Sequence, residues 1–161
     1  AKTCMFRINR DIRFSADKTI YKTHMGAFIV KGGKNNGDRF AGYYVHVEPK
    51  GRSMIAGGAY VPPMPCLTAI REKIDRESSK FLKIINNSEL KAFYGGIEGE
   101  QLKSAPKGFA RDHPMIDLIK MKSYLVSKEL SDREITSDGA FNLILKGCRI
   151  MKPLNDFLND Y

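Results

Sequence analysis

Residues 41–61, AGYYVHVEPKGRSMIAGGAYV, carry the clearest strand pattern in the chain. In the first half, apolar Tyr43, Val45 and Val47 alternate with the residues at 44, 46 and 48. A turn built on Pro49 and Gly51 leads into a second apolar run, which two prolines stop at positions 62 and 63. Alternation on both sides of a short turn predicts two antiparallel strands with one face packed and one face available.

Two further strand-like segments lie upstream. Apolar residues recur at positions 6, 8, 12 and 14, which predicts a strand over residues 5–14 with that side facing the core. Residues 21–31 are rich in β-branched and aromatic side chains and run into the turn sequence GGKNNGD at 32–38. Sequential strands joined by short turns predict an antiparallel meander.

Helical spacing dominates the rest of the chain. Apolar residues at helical spacing predict helices over residues 67–74 and 81–85, which we expect to cover the sheet, and a longer one from Phe141 that Pro153 ends or kinks. Asp112 is expected to cap a helix, Ser131 to open another with Glu134, and residues 123–127 to form a strand. We therefore expect an α+β fold, an antiparallel β-meander covered by helices, in a single domain over residues 1–161.

Composition narrows the cellular setting. The 161 residues are 42% hydrophobic and carry a net charge of +9, which favours polyanionic partners. The three cysteines are an odd number without C-x-x-C spacing, as is typical of a reducing compartment. No apolar run approaches the roughly 18 residues of a membrane span. We expect a cytoplasmic protein with no membrane partner.

Several chemistry-bearing motifs are missing from the sequence. It contains no G-x-x-x-x-G-K-S/T, G-x-G-x-x-G, G-x-S-x-G or H-E-x-x-H pattern. The histidines His24, His46 and His113 could converge on a metal ion, but scattered histidines are more often surface or core residues. We therefore assign no metal site and no cofactor.

Positive charge is concentrated near the start of the chain. Residues 1–24 hold six Lys or Arg and two Asp, so they contribute +4 of the +9. Arg10 shares the apolar side of the first predicted strand, where a guanidinium requires a carboxylate or a bound anion. The anion-binding hypothesis therefore includes Arg10, Arg13, Lys18, Lys22 and His24, with Tyr44 and His46 at the rim. The alternative is internal ion pairing of the two arginines with Asp11, Asp17 or Glu48.

A second hypothesis is enzymatic. Tyr44, His46 and Glu48 share one face of their strand. If the hairpin pairs residues whose numbers sum to about 72, His24 lies opposite Glu48, whereas a one-residue slip puts these groups on opposite faces. A histidine beside a carboxylate can serve as a general base in a hydrolase-like reaction. An ordinary cross-strand polar pair is the alternative.

A second basic patch lies near residues 103–122. It includes Arg111, His113 and Lys122, which form either a further anion site or a solvated rim beside a capped helix. No nucleic-acid-binding signature accompanies it. For the anion-binding hypothesis, the expected ligand is a phosphate-bearing small molecule or nucleic acid. The remaining alternative is that the protein is a basic module that docks an acidic protein.

Several strings resemble a widespread bacterial family, catalogued as domain of unknown function 2461. They are FRINRDIRFSADKTIYKTH at 6–24, GYYVHVEP at 42–49, AGGAY at 56–60, PKGF at 106–109 and DHP at 112–114. The resemblance implies that the basic residues of the first string belong to one family pattern. It also implies a helical segment upstream of this chain, and it carries no established activity. Ile20 stands where the family typically has proline, which leaves that turn less rigid.

Overall fold

The structure, a computed structural model, describes residues 3–161. It is an α+β domain with one antiparallel sheet of four strands, β1 (Met25–Ile29), β2 (Gly42–Val47), β3 (Ser53–Ala59) and β4 (Tyr124–Leu130). The helices are α1 (Met64–Arg76), α2 (Ser78–Ile85), α3 (Ser88–Tyr94), α4 (Ile116–Ile119), α5 (Asp132–Ile135) and α6 (Ala140–Asn159). A single 3-10 turn, Lys34–Asn36, follows β1.

The predicted meander is confirmed. The sheet order is β1-β2-β3-β4, and the β1–β2 register pairs Gly26 with His46, so paired residue numbers sum to 72, which is the register that the enzymatic hypothesis requires. Odd-numbered residues of β3, such as Ile55 and Gly57, face α6, whose Met151 sulfur lies against Gly57. Tyr44 and His46 pair with the even-numbered residues of β3 and therefore lie on the opposite face of the sheet.

The main cover of the sheet is α6 rather than the two helices that the sequence singles out. The long helix lies on β3 and β2, whereas α1 and α2 pack mostly against other helices. The side chain of Asn159 fixes the start of β2, because it both accepts from the Ala41 amide at 2.8 Å and donates to the Ala41 carbonyl at 3.0 Å. These bonds hold β2 in place and so position the polar residues on its other face.

The helix boundaries agree with the sequence in part. The capping box of Ser131 and Glu134 is confirmed. The predicted cap at Asp112 is wrong, because α4 begins only after Met115 and no side chain caps it. Helix α6 continues through Pro153, since the buried apolar side chains on both sides of it, including Met151 and Leu154, hold one continuous stripe against the core. No helix within residues 3–161 combines the length and apolar character that a membrane crossing requires.

The segment before β1 is the main departure from the predicted fold. Residues 5–14 do not form a core strand, because they lie beyond the sheet edge at β1, whereas α6 covers β2 and β3. Phe6, Ile8 and Phe14 are accordingly 41%, 46% and 97% exposed. The segment instead runs antiparallel to residues 20–28 through isolated bridges. This edge carries the candidate site.

Candidate functional site

A mismatch in backbone pairing creates a cleft at the sheet edge. The bridges Met5↔Ala27 and Asn9↔Tyr21 enclose three residues on one segment and five on the other. The Phe6 amide donates to the Gly26 carbonyl at 3.0 Å, and the Lys22 amide donates to the Ile8 carbonyl at 2.8 Å. Two extra residues between fixed ends must bow out of the ladder, as in a β-bulge.

The cleft that results has a volume of about 210 Å³. Its walls combine two cationic side chains, a histidine, a phenol, an aromatic ring and a glycine, namely Arg7, Lys22, His24, Tyr44, Phe6 and Gly26. The glycine keeps the cleft open, since a β-carbon on Gly26 would lie 3.0 Å from the Tyr44 hydroxyl and 3.4 Å from the Phe6 ring. The cleft is therefore concave, mainly polar in its wall groups and positively charged.

Behind the cleft, side chains of β2 and of Glu48, the residue that follows it, form a chain of hydrogen bonds. The Tyr44 hydroxyl lies 2.9 Å from His46 Nδ1, and His46 Nε2 lies 3.0 Å from Glu48 Oε2. The three residues meet because alternate positions of a strand point to one face. The side chains of His46 and Glu48 are only 16% and 15% exposed.

The protonation states of this chain follow from its partners. The hydrogen bond with His46, followed by the nearby Arg52 charge, lowers the pKa of Glu48, so this carboxylate is ionised and can only accept. His46 Nε2 therefore carries the proton, and in the neutral imidazole Nδ1 accepts from the Tyr44 hydroxyl. Burial raises the pKa of Tyr44, which keeps the phenol protonated.

Two further contacts fix the carboxylate and the histidine. Glu48 Oε1 accepts from Arg52 at 2.7 Å and from the Thr23 hydroxyl at 3.3 Å. The His24 ring stacks on the His46 ring, with centroids 4.7 Å apart and planes inclined by 22°. One donor atom from each of His24, His46 and Glu48 lies within 4.8 Å of the other two.

Arg10 and Arg13, the two arginines of the anion-binding hypothesis, form ion pairs with carboxylates of the same segment. Arg10 pairs with Asp17 and also contacts Thr19, while Arg13 binds Asp11 at 2.7 Å. The Thr19 amide and then Arg10 lower the pKa of Asp17 to about 2. Lys18, the third of these cations, donates to the Ile12 carbonyl at 3.0 Å. This geometry corresponds to the ion-pair alternative.

In the basic patch of Arg111, His113 and Lys122, two of the three side chains bind carboxylates elsewhere in the chain. His113 Nε2 lies 2.9 Å from an oxygen of Asp75 on α1, and its Nδ1 accepts from the Met115 amide. Lys122 binds Glu100 at 2.9 Å, and Arg111 is exposed. His113 and Lys122 therefore each bind a different carboxylate. Within residues 3–161, the only two histidines whose rings stack are His24 and His46, beside the cleft.

Sequence reasoning thus identified part of the cleft. The structure brings together Lys22, His24, Tyr44 and His46 from the predicted set. The prediction missed further residues at or behind the cleft, namely Phe6, Arg7, Thr23, Gly26 and Arg52. The spacing of Arg52, four residues after Glu48 across a turn, is a sequence signal for that pair. No sequence signal marks Arg7 as a cleft residue, because its position depends on the unequal pairing between the bridges Met5↔Ala27 and Asn9↔Tyr21.

Comparison with known proteins adds a family and no further relatives. The family model described as conserved hypothetical protein (DUF2461) matches residues 1–157. No curated protein and no solved structure matches the chain significantly. Because the match spans nearly the whole sequence, the chain belongs to this family of conserved hypothetical proteins.

Proposed function

We propose that the cleft binds the phosphate group of a small molecule. The observation that carries this proposal is the convergence of Arg7, Lys22 and His24 with the Tyr44 hydroxyl on one concave surface. Guanidinium and ammonium groups donate charge-assisted hydrogen bonds to phosphate oxygens, and a phenol and an imidazole add further donors.

The cations of the cleft are available to a ligand. Within residues 3–161, no carboxylate lies in salt-bridge range of Lys22. Arg7 has only a 3.9 Å contact with Asp11, and its side chain is 70% exposed. In contrast, Arg10 and Arg13 are held by Asp17 and by Asp11 at short range. Arg7 and Lys22 therefore keep positive charge that no carboxylate of the described residues neutralises within hydrogen-bond range, and both line the cleft.

The size of the cleft limits what it encloses. Pockets that bury a whole drug-sized ligand occupy roughly 300–1,000 Å³, whereas this cleft has about 210 Å³. That volume accommodates a phosphoryl group and a small part of its carrier. The remainder of the ligand would lie on the exposed apolar surface beside the cleft, where Phe6 and Tyr21 are 41% and 65% exposed.

Calorimetric titration at low salt tests this proposal. The probes are inorganic phosphate, pyrophosphate, a nucleoside monophosphate and a 5′-phosphorylated oligonucleotide. We expect saturable binding of the small phosphates, and Gly26→Val should lower their affinity at least about tenfold because the added methyl groups occupy the cleft.

The matched control is Ala27→Val, which adds bulk to the next position of β1 on the other face of the sheet and should leave binding unchanged. Binding that survives Gly26→Val would contradict the proposal. Binding of the oligonucleotide alone would contradict it in favour of a nucleic-acid ligand.

A second candidate function is hydrolysis of a phosphate ester in the same cleft, and the chain Tyr44–His46–Glu48 favours it. A carboxylate behind an imidazole fixes its tautomer and stabilises its charged form, and such a group contributes about 10²–10⁴-fold to a rate. Phosphate release from a panel of monoesters should fall about 100-fold or more in His46→Gln. His113→Gln is the control, and equal rates in wild type and His46→Gln would exclude this role.

A further inference from the structure

We propose that His24, His46 and Glu48 form a binding site for a first-row divalent metal ion such as Zn²⁺. The inference goes beyond phosphate binding, and it departs from the sequence prediction, which assigns no metal ligand. Its basis is the approach of two imidazoles and one carboxylate, whose donor atoms lie within 4.8 Å of one another at the wall of the cleft. Two histidines and a glutamate form a known catalytic zinc ligand set.

The geometry requires a rotation of the His24 ring, because two stacked imidazoles with planes inclined by 22° do not direct their nitrogen lone pairs at one ion. Metal-to-nitrogen and metal-to-oxygen distances of about 2.0–2.2 Å place tetrahedral ligand atoms about 3.4 Å apart. His46 Nε2 and Glu48 Oε2 are already 3.0 Å apart. The remaining adjustment falls on His24, which lies outside β1 and is half-buried, so rotation of its side chain can close the site.

The surroundings of the three ligands suit such a site. A metal ion between Nε2 and Oε2 replaces the proton there, and His46 Nδ1–H then donates to the Tyr44 oxygen at 2.9 Å. Metal-bound histidines usually donate their second ring nitrogen in this way, which fixes the tautomer. Arg52 and Thr23 bind the other carboxylate oxygen, Oε1, and leave Oε2 for the ion.

The ligand types select the metal class. Imidazole nitrogens favour zinc and the neighbouring transition metals, whereas magnesium and calcium prefer all-oxygen surroundings. Three protein ligands leave at least one coordination position open, and His24 lines the cleft, so that position is accessible from it.

The nearby cations predict cooperation between metal and phosphate, a corollary that rests on the proposed function. Arg7 and Lys22 line the same cleft, and Arg52 binds Glu48. Because these three cations repel a divalent metal ion, metal binding is disfavoured until an anion binds in the cleft. Phosphate should therefore raise metal affinity, and by linkage the metal should raise phosphate affinity by the same factor.

The test is a Co²⁺ titration of tag-free, chelator-treated and reduced protein, followed by visible absorption, with Zn²⁺ as competitor. We expect one equivalent of Co²⁺, displaced by Zn²⁺, without a thiolate-to-cobalt band. His24→Gln, His46→Gln and Glu48→Gln should each weaken binding at least about tenfold. His113→Gln, which alters a histidine paired with Asp75, is the matched control.

Three results would overturn the inference: no stoichiometric Co²⁺ binding, wild-type affinity in His24→Gln, or a thiolate band that assigns the ion to a cysteine. His24 is the informative position, because its replacement breaks none of the hydrogen bonds that join Tyr44, His46 and Glu48. Phosphate titrations with chelator and with Co²⁺ separate the two proposals. Phosphate binding without metal binding removes only the metal site, and metal binding without phosphate binding removes only the proposed function.

Discussion

Replacing Arg7 and Lys22 together by alanine should lower the affinity for inorganic phosphate about 30- to 150-fold. Hydrogen bonds that involve charged groups contribute about 1.5–3 kcal/mol each, and solvent exposure reduces this to about 1–1.5 kcal/mol. The two residues therefore account for about 2–3 kcal/mol of binding free energy. Calorimetric titration of the double variant measures the loss. Its fold should be intact, since neither side chain belongs to the buried core.

A charge-matched control separates the cleft from the general positive charge of the protein. Lys103 and Lys107 are exposed, and neither lines the cleft. Their joint replacement by alanine removes the same net charge and should change phosphate affinity less than about threefold at moderate salt, because distant charges are screened. Equal losses in the two double variants would show that binding is nonspecific.

The largest effect on stability is expected from Gly58→Ala. Gly58 has a φ of +121° in β3, and a β-carbon there would overlap the Tyr124 carbonyl oxygen of β4. Backbone strain contributes about 1–3 kcal/mol, and forced displacement of the neighbouring strand contributes about 1–3 kcal/mol more. A loss of about 4 kcal/mol lowers Tm by roughly 8–16 °C in a domain of this size.

Gly51→Ala isolates the backbone contribution. Gly51 also has a positive φ, +69°, but a β-carbon there meets no atom within 4 Å. Its replacement should cost about 1 kcal/mol, or roughly 2–4 °C in Tm. Thermal unfolding of both variants gives the comparison. A Gly58→Ala protein as stable as Gly51→Ala would contradict the close packing of β3 against β4.

The sheet could be predicted from sequence because its signals are local. Alternation in residues 41–61 and the turn residues between strands specify β2 and β3. The register between β1 and β2 is not specified in this way, because a one-residue slip moves every side chain of a strand to the other face. The role of α6 as the main cover could not be predicted in this way. It depends on contacts such as Met151 against Gly57, which are separated by more than ninety residues.

The candidate site was only partly predictable for a related reason. Strand alternation places Tyr44, His46 and Glu48 on one face, and this arrangement is observed. The even-numbered apolar pattern of residues 6–14 suggested a core strand and so drew attention to Arg10. In the structure these residues lie at the exposed edge of the sheet. There Arg10 pairs with a carboxylate, and Arg7 lines the cleft. Edge position is a property of the tertiary fold, and local periodicity does not report it.

The most direct test of the phosphate-binding account is a backbone amide NMR titration of the reduced protein with inorganic phosphate. We expect saturable shifts at Arg7, at residues 22–26 and at Tyr44, which surround the cleft. The amides of residues 11–17 should move little, because Arg10 and Arg13 are already paired with Asp17 and Asp11. Shifts centred on residues 11–17, or no saturable shifts, would contradict the assignment of the cleft as the phosphate site.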